Sequence, residues 1–358
     1  MAKALIKYAL TALLLCTGLA GAQAQESGSS AARKAVPKIQ DGWLDVRAGE
    51  GQGRLPIHVS RDWSQAQPAV RRALIVVHGI TRDDLLAGER AAAKVPSAAD
   101  DAIIITPQFL IAEDVAAHQL PELTLRWGVD DWKAGFKAQA PAPLSAYAVM
   151  DAIFARLLDR QLFPNLQSIV LAGHSAGGQY LQRYALFGQG SALVDQAGVR
   201  LRYVVANPSS YAYANDLRPL AAGGFAAADA SQCERVDRWP YSLSANLPAY
   251  ARKPLDPAAL MRRYLAHDVI YLLGEEDKDP HHPQLDKSCA GEAQGDSRLQ
   301  RGRYYFAYAA QFPRDAAFKQ RLFIVPGVAH NSTRMFGSSC GLAALFDEGR
   351  CTTEVAAP

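Results

Sequence analysis

Short runs of consecutive apolar residues, closed by glycine or proline, alternate along this chain with stretches whose apolar positions recur at helical spacing. The unbroken runs are "ALIVVHG" (73–79), "AIIITP" (102–107), "QSIVLAG" (167–173), "RLRYVVANP" (200–208), "DVIYLLG" (268–274) and "RLFIVPG" (321–327). A run with no polar alternation reads as a strand covered on both faces. "GWLDV" and "LPIHVS" read as two earlier strands. Helices are expected in "LLAGERAAAKV", in "LSAYAVMDAIFARLLDRQL", which stops before Pro164, and in "GGQYLQRYALFG". Strand and helix in alternation predict an α/β fold, with a mostly parallel sheet between two layers of helices.

One connection breaks the rhythm. About 60 residues separate the strand ending near Asn207 from the one starting near Asp268, and a simple crossover needs far fewer. Residues 208–265 are rich in Ala, Tyr and Pro, and are expected to form a cap insertion folded over the sheet edge. At the other end, Lys3 and Lys7, the apolar stretch from Tyr8 to Ala20 and the sequence Ala22-Gln23-Ala24 match an export signal over residues 1–24. The apolar stretch is short for a bilayer span, so no stable membrane insertion is expected. Leu15, where lipid processing wants a small residue, argues against an anchor at Cys16. Residues 25–40 read as a flexible leader and 41–358 as the folded domain.

Composition changes this picture in two ways. Apolar residues make up 49% of the chain and charged residues 20%, which supports a large buried core. Loss of residues 1–24 removes two lysines and no acids, so the net charge of +3 falls to +1. With no basic run left, nothing points to nucleic acid. Export to a secreted or periplasmic location also frames Cys233, Cys289, Cys340 and Cys351, an even number suited to disulfides. Four cysteines allow three pairings, of which Cys340 with Cys351, closing a short loop, and Cys233 with Cys289 is the favoured one. No cysteine spacing fits zinc.

The chemistry centres on "QSIVLAGHSAGGQY". Gly173-His174-Ser175-Ala176-Gly177 lies between an apolar strand and an amphipathic helix, the context in which a serine stands exposed on a tight turn. Gly337-Ser338-Ser339-Cys340-Gly341 matches the same string but follows no strand, so Ser339 reads as a loop residue. A serine hydroxyl needs a base, and the base needs an orienting acid. His330, in "IVPGVAHNS", directly follows the last strand, whereas His78 and His174 sit in glycine turns and His281 and His282 in a Pro-rich loop. Asp277, three residues after Gly274, is the expected acid, with Glu275, Glu276 and Asp279 crowding the same loop and Glu276 the first alternative. Backbone N–H groups of Ala176 and of Ile80, just past "VVHG", are expected to form an oxyanion hole.

"VVHG", "GHSAGG", "LLGEED" and "VPGVAHN" occur in an order that resembles the α/β-hydrolase superfamily, serine-nucleophile branch. "GHSAGGQYLQRYA", "VVANPSSYAY" and "SCAGEAQGDSRLQRGRYY" look like a group of exported bacterial and fungal α/β-hydrolases of undefined substrate. The resemblance covers about residues 41–350. It implies an eight-stranded, mostly parallel sheet with a cap over the active site. Two departures stand out: the several carboxylates of the acid loop, and a long tail from 334 to 358 with two cysteines.

The function expected is a secreted serine hydrolase that cleaves a carboxylic ester, small or polymeric, through an acyl-enzyme on Ser175. It needs neither cofactor nor metal. An amidase or peptidase would use the same residues, and a fold that kept its sheet but lost turnover would be a binding protein. Aromatic residues of 208–265, with Trp127 and Trp132, are expected to set specificity.

Overall fold

The structure, a computed structural model, describes residues 30–251, 255–312 and 318–357. The export signal read over 1–24 and the start of the leader, 25–29, lie outside the described residues.

Among the described residues eleven strands run in chain order: β1 (Gly42–Ala48), β2 (Gly51–Val59), β3 (Arg72–Val77), β4 (Ala102–Pro107), β5 (Ser168–His174), β6 (Arg200–Ala206), β7 (Leu217–Pro219), β8 (Phe225–Ala227), β9 (Asp268–Gly274), β10 (Gln320–Val325) and β11 (Glu354–Val355). Nine of them form one sheet in the order β1-β2-β4-β3-β5-β6-β9-β10-β11. From β4 to β10 every neighbour is parallel, while β1, β2 and β11 pair antiparallel. The eight strands expected from the apolar runs are all present. The ninth, β11, has two residues and carries no sequence pattern of its own.

The unbroken apolar runs have the expected cause. Along β3 to β9, successive side chains enter opposite cores. Ile75, Val77, Ile105, Leu171, Val205 and Tyr271 pack on one side, with helices Ala146–Leu157, Ala176–Phe187 and Arg298–Ala309. Leu74, Val76, Ile104, Val170, Val204 and Ile270 pack on the other, with helices Ala87–Ala92, Ser332–Phe336 and Ser339–Phe346. The chain leaves β3 for β4 on one side and reaches β5 on the other. The crevice at this reversal, beyond the carboxyl ends of β3 and β5, is where open α/β sheets bind ligands.

Residues 208–265 contain the short β7–β8 hairpin and the helix Pro257–Leu265. Their aromatic side chains serve packing more than the expected pocket lining. Tyr211 stacks on Tyr305 at 4.5 Å, and Trp239 packs edge-on against Phe187 while its Nε1 donates to Ala134 O at 2.8 Å. Residues 30–40 also differ from the flexible leader expected. Ala32 and Val36 are buried, and the segment is tied down by hydrogen bonds between its backbone and the side chains of Arg82, Asp114 and Gln108. A polar, small-residue composition hides this, because the contacts run through backbone atoms.

The four cysteines form two bonds, Cys233–Cys289 and Cys340–Cys351. The second spans 11 positions and ties the tail that carries β11 to the helix Ser339–Phe346. No helix among the described residues is long and apolar enough to cross a membrane. Closing a loop of this length removes denatured-state entropy worth about 3 kcal/mol. Replacing Cys340 and Cys351 by serine is therefore expected to lower unfolding stability by about 2–3 kcal/mol in urea titrations. An unchanged midpoint would contradict that role.

Candidate active site

Ser175 sits between β5 and the helix Ala176–Phe187 with φ 57° and ψ −118°, a strained backbone for a residue with a β-carbon. It persists because its surroundings leave no alternative. Ser175 N–H donates to Ala206 O at 2.9 Å. A β-carbon on Gly177 would lie 2.2 Å from Val77 O, so only glycine lets the helix approach β3 this closely. The two glycines of the motif thus serve packing, and the serine between them takes the strain. Ala176 is the first helical residue, so its N–H has no partner within the helix.

The loop after β3 lies beside this turn, with the Gly79 α-carbon facing Ser175: a β-carbon there would come 3.9 Å from Ser175 Cβ. Ile80 N–H makes no backbone hydrogen bond among the described residues. His78 shapes the loop. Phe109 N–H donates to His78 Nε2 at 2.9 Å, so that nitrogen carries no proton, and Nδ1–H donates to Gly79 O at 2.8 Å. Burial pulls the His78 pKa down to about 4, which keeps this neutral tautomer in place.

His330 follows β10, and its ring packs 4.4 Å from the ring of His174, the residue before Ser175. Its Nδ1 meets Asp277 Oδ2 at 2.7 Å, with both side chains buried. The two loops are knit together by backbone bonds, Glu275 N to Val325 O at 3.0 Å and Glu276 N to Val328 O at 2.9 Å. Of the four carboxylates in the acid loop, Asp277 is the one that meets His330. Glu276 pairs outward with Lys278 at 2.8 Å, Glu275 accepts from Gly327 N, and Asp279 accepts from His281 N. Glu276, the first alternative for the acid, is thus engaged elsewhere.

The sequence reading missed the far side of Asp277. Arg298, fully buried at the start of its helix, directs Nη1 to Asp277 Oδ1 at 3.4 Å and Nε to Ser209 Oγ at 3.0 Å. No periodicity singles out an arginine at a helix start, so nothing local flagged it. Burial lowers the Arg298 pKa to about 10. Burial also raises the Asp277 carboxyl, and Arg298 works against that rise. His330 is held well below its ordinary pKa by burial, then by the positive charges of Arg298 and of His282, whose ring lies 4.9 Å away. The buried side chain of Asp277 is therefore shared by a guanidinium and an imidazole.

Gln179, one helical turn past Ser175, opens onto a cavity of about 370 Å³ that Trp127, Lys133, Arg183, Tyr241 and Asp286 also line. Of the two tryptophans expected here, Trp127 reaches the cavity wall. Trp132 is stacked on Phe109 at 5.3 Å and packs against His78.

No protein-family model matches the chain, and no curated protein does. Solved structures do match. A poly(aspartic acid) hydrolase-1 from Sphingomonas sp. KT-1 aligns at 24% identity over 83% of this chain and 96% of that one, with a TM-score of 0.55. LpqC, a poly(3-hydroxybutyrate) depolymerase from Bordetella parapertussis, aligns at 23% identity over 87% and 91%, with a TM-score of 0.58. The chain has the α/β-hydrolase fold, shared with these hydrolases.

Replacing Arg298 by methionine removes a cation that disfavours the imidazolium, so the His330 pKa is expected to rise. Titration of the ring protons by NMR reads this directly. An unmoved or lowered titration would show that Arg298 does not act on this pair.

Proposed function

We propose that the protein is an exported serine hydrolase that cleaves a carboxylic ester. Ser175 Oγ attacks the carbonyl carbon while His330 Nε2 takes the serine proton. Asp277, on Nδ1, holds the ring in the tautomer that leaves Nε2 free to accept. Negative charge develops on the carbonyl oxygen and is met by the N–H groups of Ile80 and Ala176, each worth about 3 kcal/mol in such a role. The C–O bond breaks, His330 returns the proton to the leaving alcohol, and an acyl-enzyme remains. Water, deprotonated by the same imidazole, releases the acid and restores Ser175. No step calls for a metal or cofactor.

The observation that carries this reading is the 2.7 Å contact of Asp277 with His330, whose ring packs on His174, the residue before a serine held in a strained backbone conformation. A complete serine, acid and histidine set argues against a protein that only binds ligands. Export fits the two disulfides and the signal-like start of the chain. The two hydrolases described above are named for polymers, which suits an extracellular polymeric substrate. The neighbour named for poly(aspartic acid) keeps an amide substrate as the second reading. Residues 208–265 are the segment we assign as the cap, and it contributes Arg235, Pro240 and Tyr241 to the cavity wall.

A fluorophosphonate probe is expected to label wild type at Ser175 and to leave Ser175→Ala unlabelled. Turnover of p-nitrophenyl acyl esters should fall by about 10⁴-fold or more in Ser175→Ala and in His330→Ala. Faster hydrolysis of p-nitroanilides than of the matched esters would select the amidase reading. The base must be neutral to act, and its pKa lies below the ordinary 6.5. Ester turnover should therefore rise with pH through a midpoint below 6.5 and be flat by neutrality. A midpoint above that value would contradict the assignment of His330, and a folded protein that takes no label would sink the whole reading.

A further inference from the structure

The proposed oxyanion donor Ile80 is followed, two residues on, by an arginine whose every N–H is committed. Arg82 is fully buried and takes a left-handed backbone, φ 61°. Its Nε donates to Asp114 Oδ2 at 2.8 Å and Nη2 to Asp114 Oδ1 at 3.1 Å, a two-pronged ion pair. Nη2 also donates to Lys34 O at 2.8 Å, and Nη1 to Ala32 O at 2.6 Å and to Ile80 O at 3.0 Å. Those bonds use the five donors a guanidinium has. Asp114 in turn accepts from Val36 N at 2.8 Å and Ile111 N at 2.9 Å. Gln108 Nε2 donates to both Lys38 O and Arg82 O at 3.0 Å. The N-terminal segment is thereby fastened to the loop that carries Ile80.

The fastening bears on the direction of one N–H. Arg82 N–H and His78 Nδ1–H both donate to Gly79 O, at 3.1 and 2.8 Å. A trans peptide points its N–H opposite to its carbonyl. Two donors that pin Gly79 O therefore fix where the Ile80 N–H points. Arg82 holds the Ile80 carbonyl as well, so the peptides on both sides of Ile80 are locked.

We propose that Arg82 and the docked segment 32–38 are positioning elements for the oxyanion loop, so that the chain's N-terminal segment is part of the catalytic apparatus. This rests on the serine-hydrolase reading above. Losing the guanidinium leaves Ser175, His330 and Asp277 untouched but releases the Ile80 carbonyl and the left-handed Arg82 backbone whose N–H pins Gly79 O, so that the Ile80 N–H can turn. The cost then falls on the transition state, not on substrate binding.

The test compares wild type, Ser175→Ala, Arg82→Met, Arg82→Lys and a chain starting at Ile39, at a temperature well below each thermal midpoint. Arg82→Met is expected to lower kcat for p-nitrophenyl butyrate by about 100-fold with KM within about two-fold. Phenylboronic acid, which adds to a serine to give a tetrahedral anion, should bind weaker by a similar factor. The shortened chain should show the same split, and Arg82→Lys should recover part of kcat. Folded variants with wild-type kcat and boronate affinity overturn the proposal. A shortened chain that does not fold also overturns it, since the segment is then only structural. Wild type without turnover, or Ser175→Ala with it, brings down the serine-hydrolase reading itself.

Discussion

Asp277 is a buried carboxylate shared by a guanidinium and an imidazole. A carboxylate taken out of water loses hydration worth several kcal/mol unless a countercharge and hydrogen bonds replace it. Here the partners are Arg298 on one oxygen and His330 on the other. The arrangement links three places far apart in the chain: the end of β9, the start of the helix at Arg298 and the loop after β10. It also decides the protonation of the pair. Burial first, and the guanidinium after it, disfavour the imidazolium, so the His330 pKa lies below that of an isolated histidine, while the guanidinium favours the ionised carboxylate.

The sheet makes this meeting possible. Parallel strands bring the loops after β3, β5, β9 and β10 to one rim, and the reversal of strand order opens a crevice between the first two. The strain at Ser175 belongs to the same design. Helix and strand approach within the limits set by Gly177, and the residue at the turn has to adopt a backbone it would otherwise avoid.

The main strands and the positions of Ser175, Asp277 and His330 at strand ends were legible in the sequence, because continuous apolar runs mark strands buried on both faces and each candidate directly follows one. What was not legible depends on contacts distant in the chain. Arg298 acts on Asp277 from a helix start that carries no periodic signal. The 30–40 segment has a leader's composition, yet its backbone is held by Arg82, Asp114 and Gln108, three side chains brought together only by folding. The aromatics of 208–265 suggested a pocket, whereas most of them fill the core, as Tyr211 and Trp239 do. Composition identifies such residues as apolar and large without telling which surface they cover.

The account depends on Ser175, His330 and the two backbone donors acting on one carbonyl. A crystal structure of the protein inactivated with an alkyl phosphonate tests this most directly. The account predicts phosphorus bonded to Ser175 Oγ, one phosphonyl oxygen within hydrogen-bond distance of both Ile80 N and Ala176 N, and His330 Nε2 facing the bond to Ser175. Phosphorus on another residue, or an oxygen turned away from Ile80 and Ala176, would contradict it.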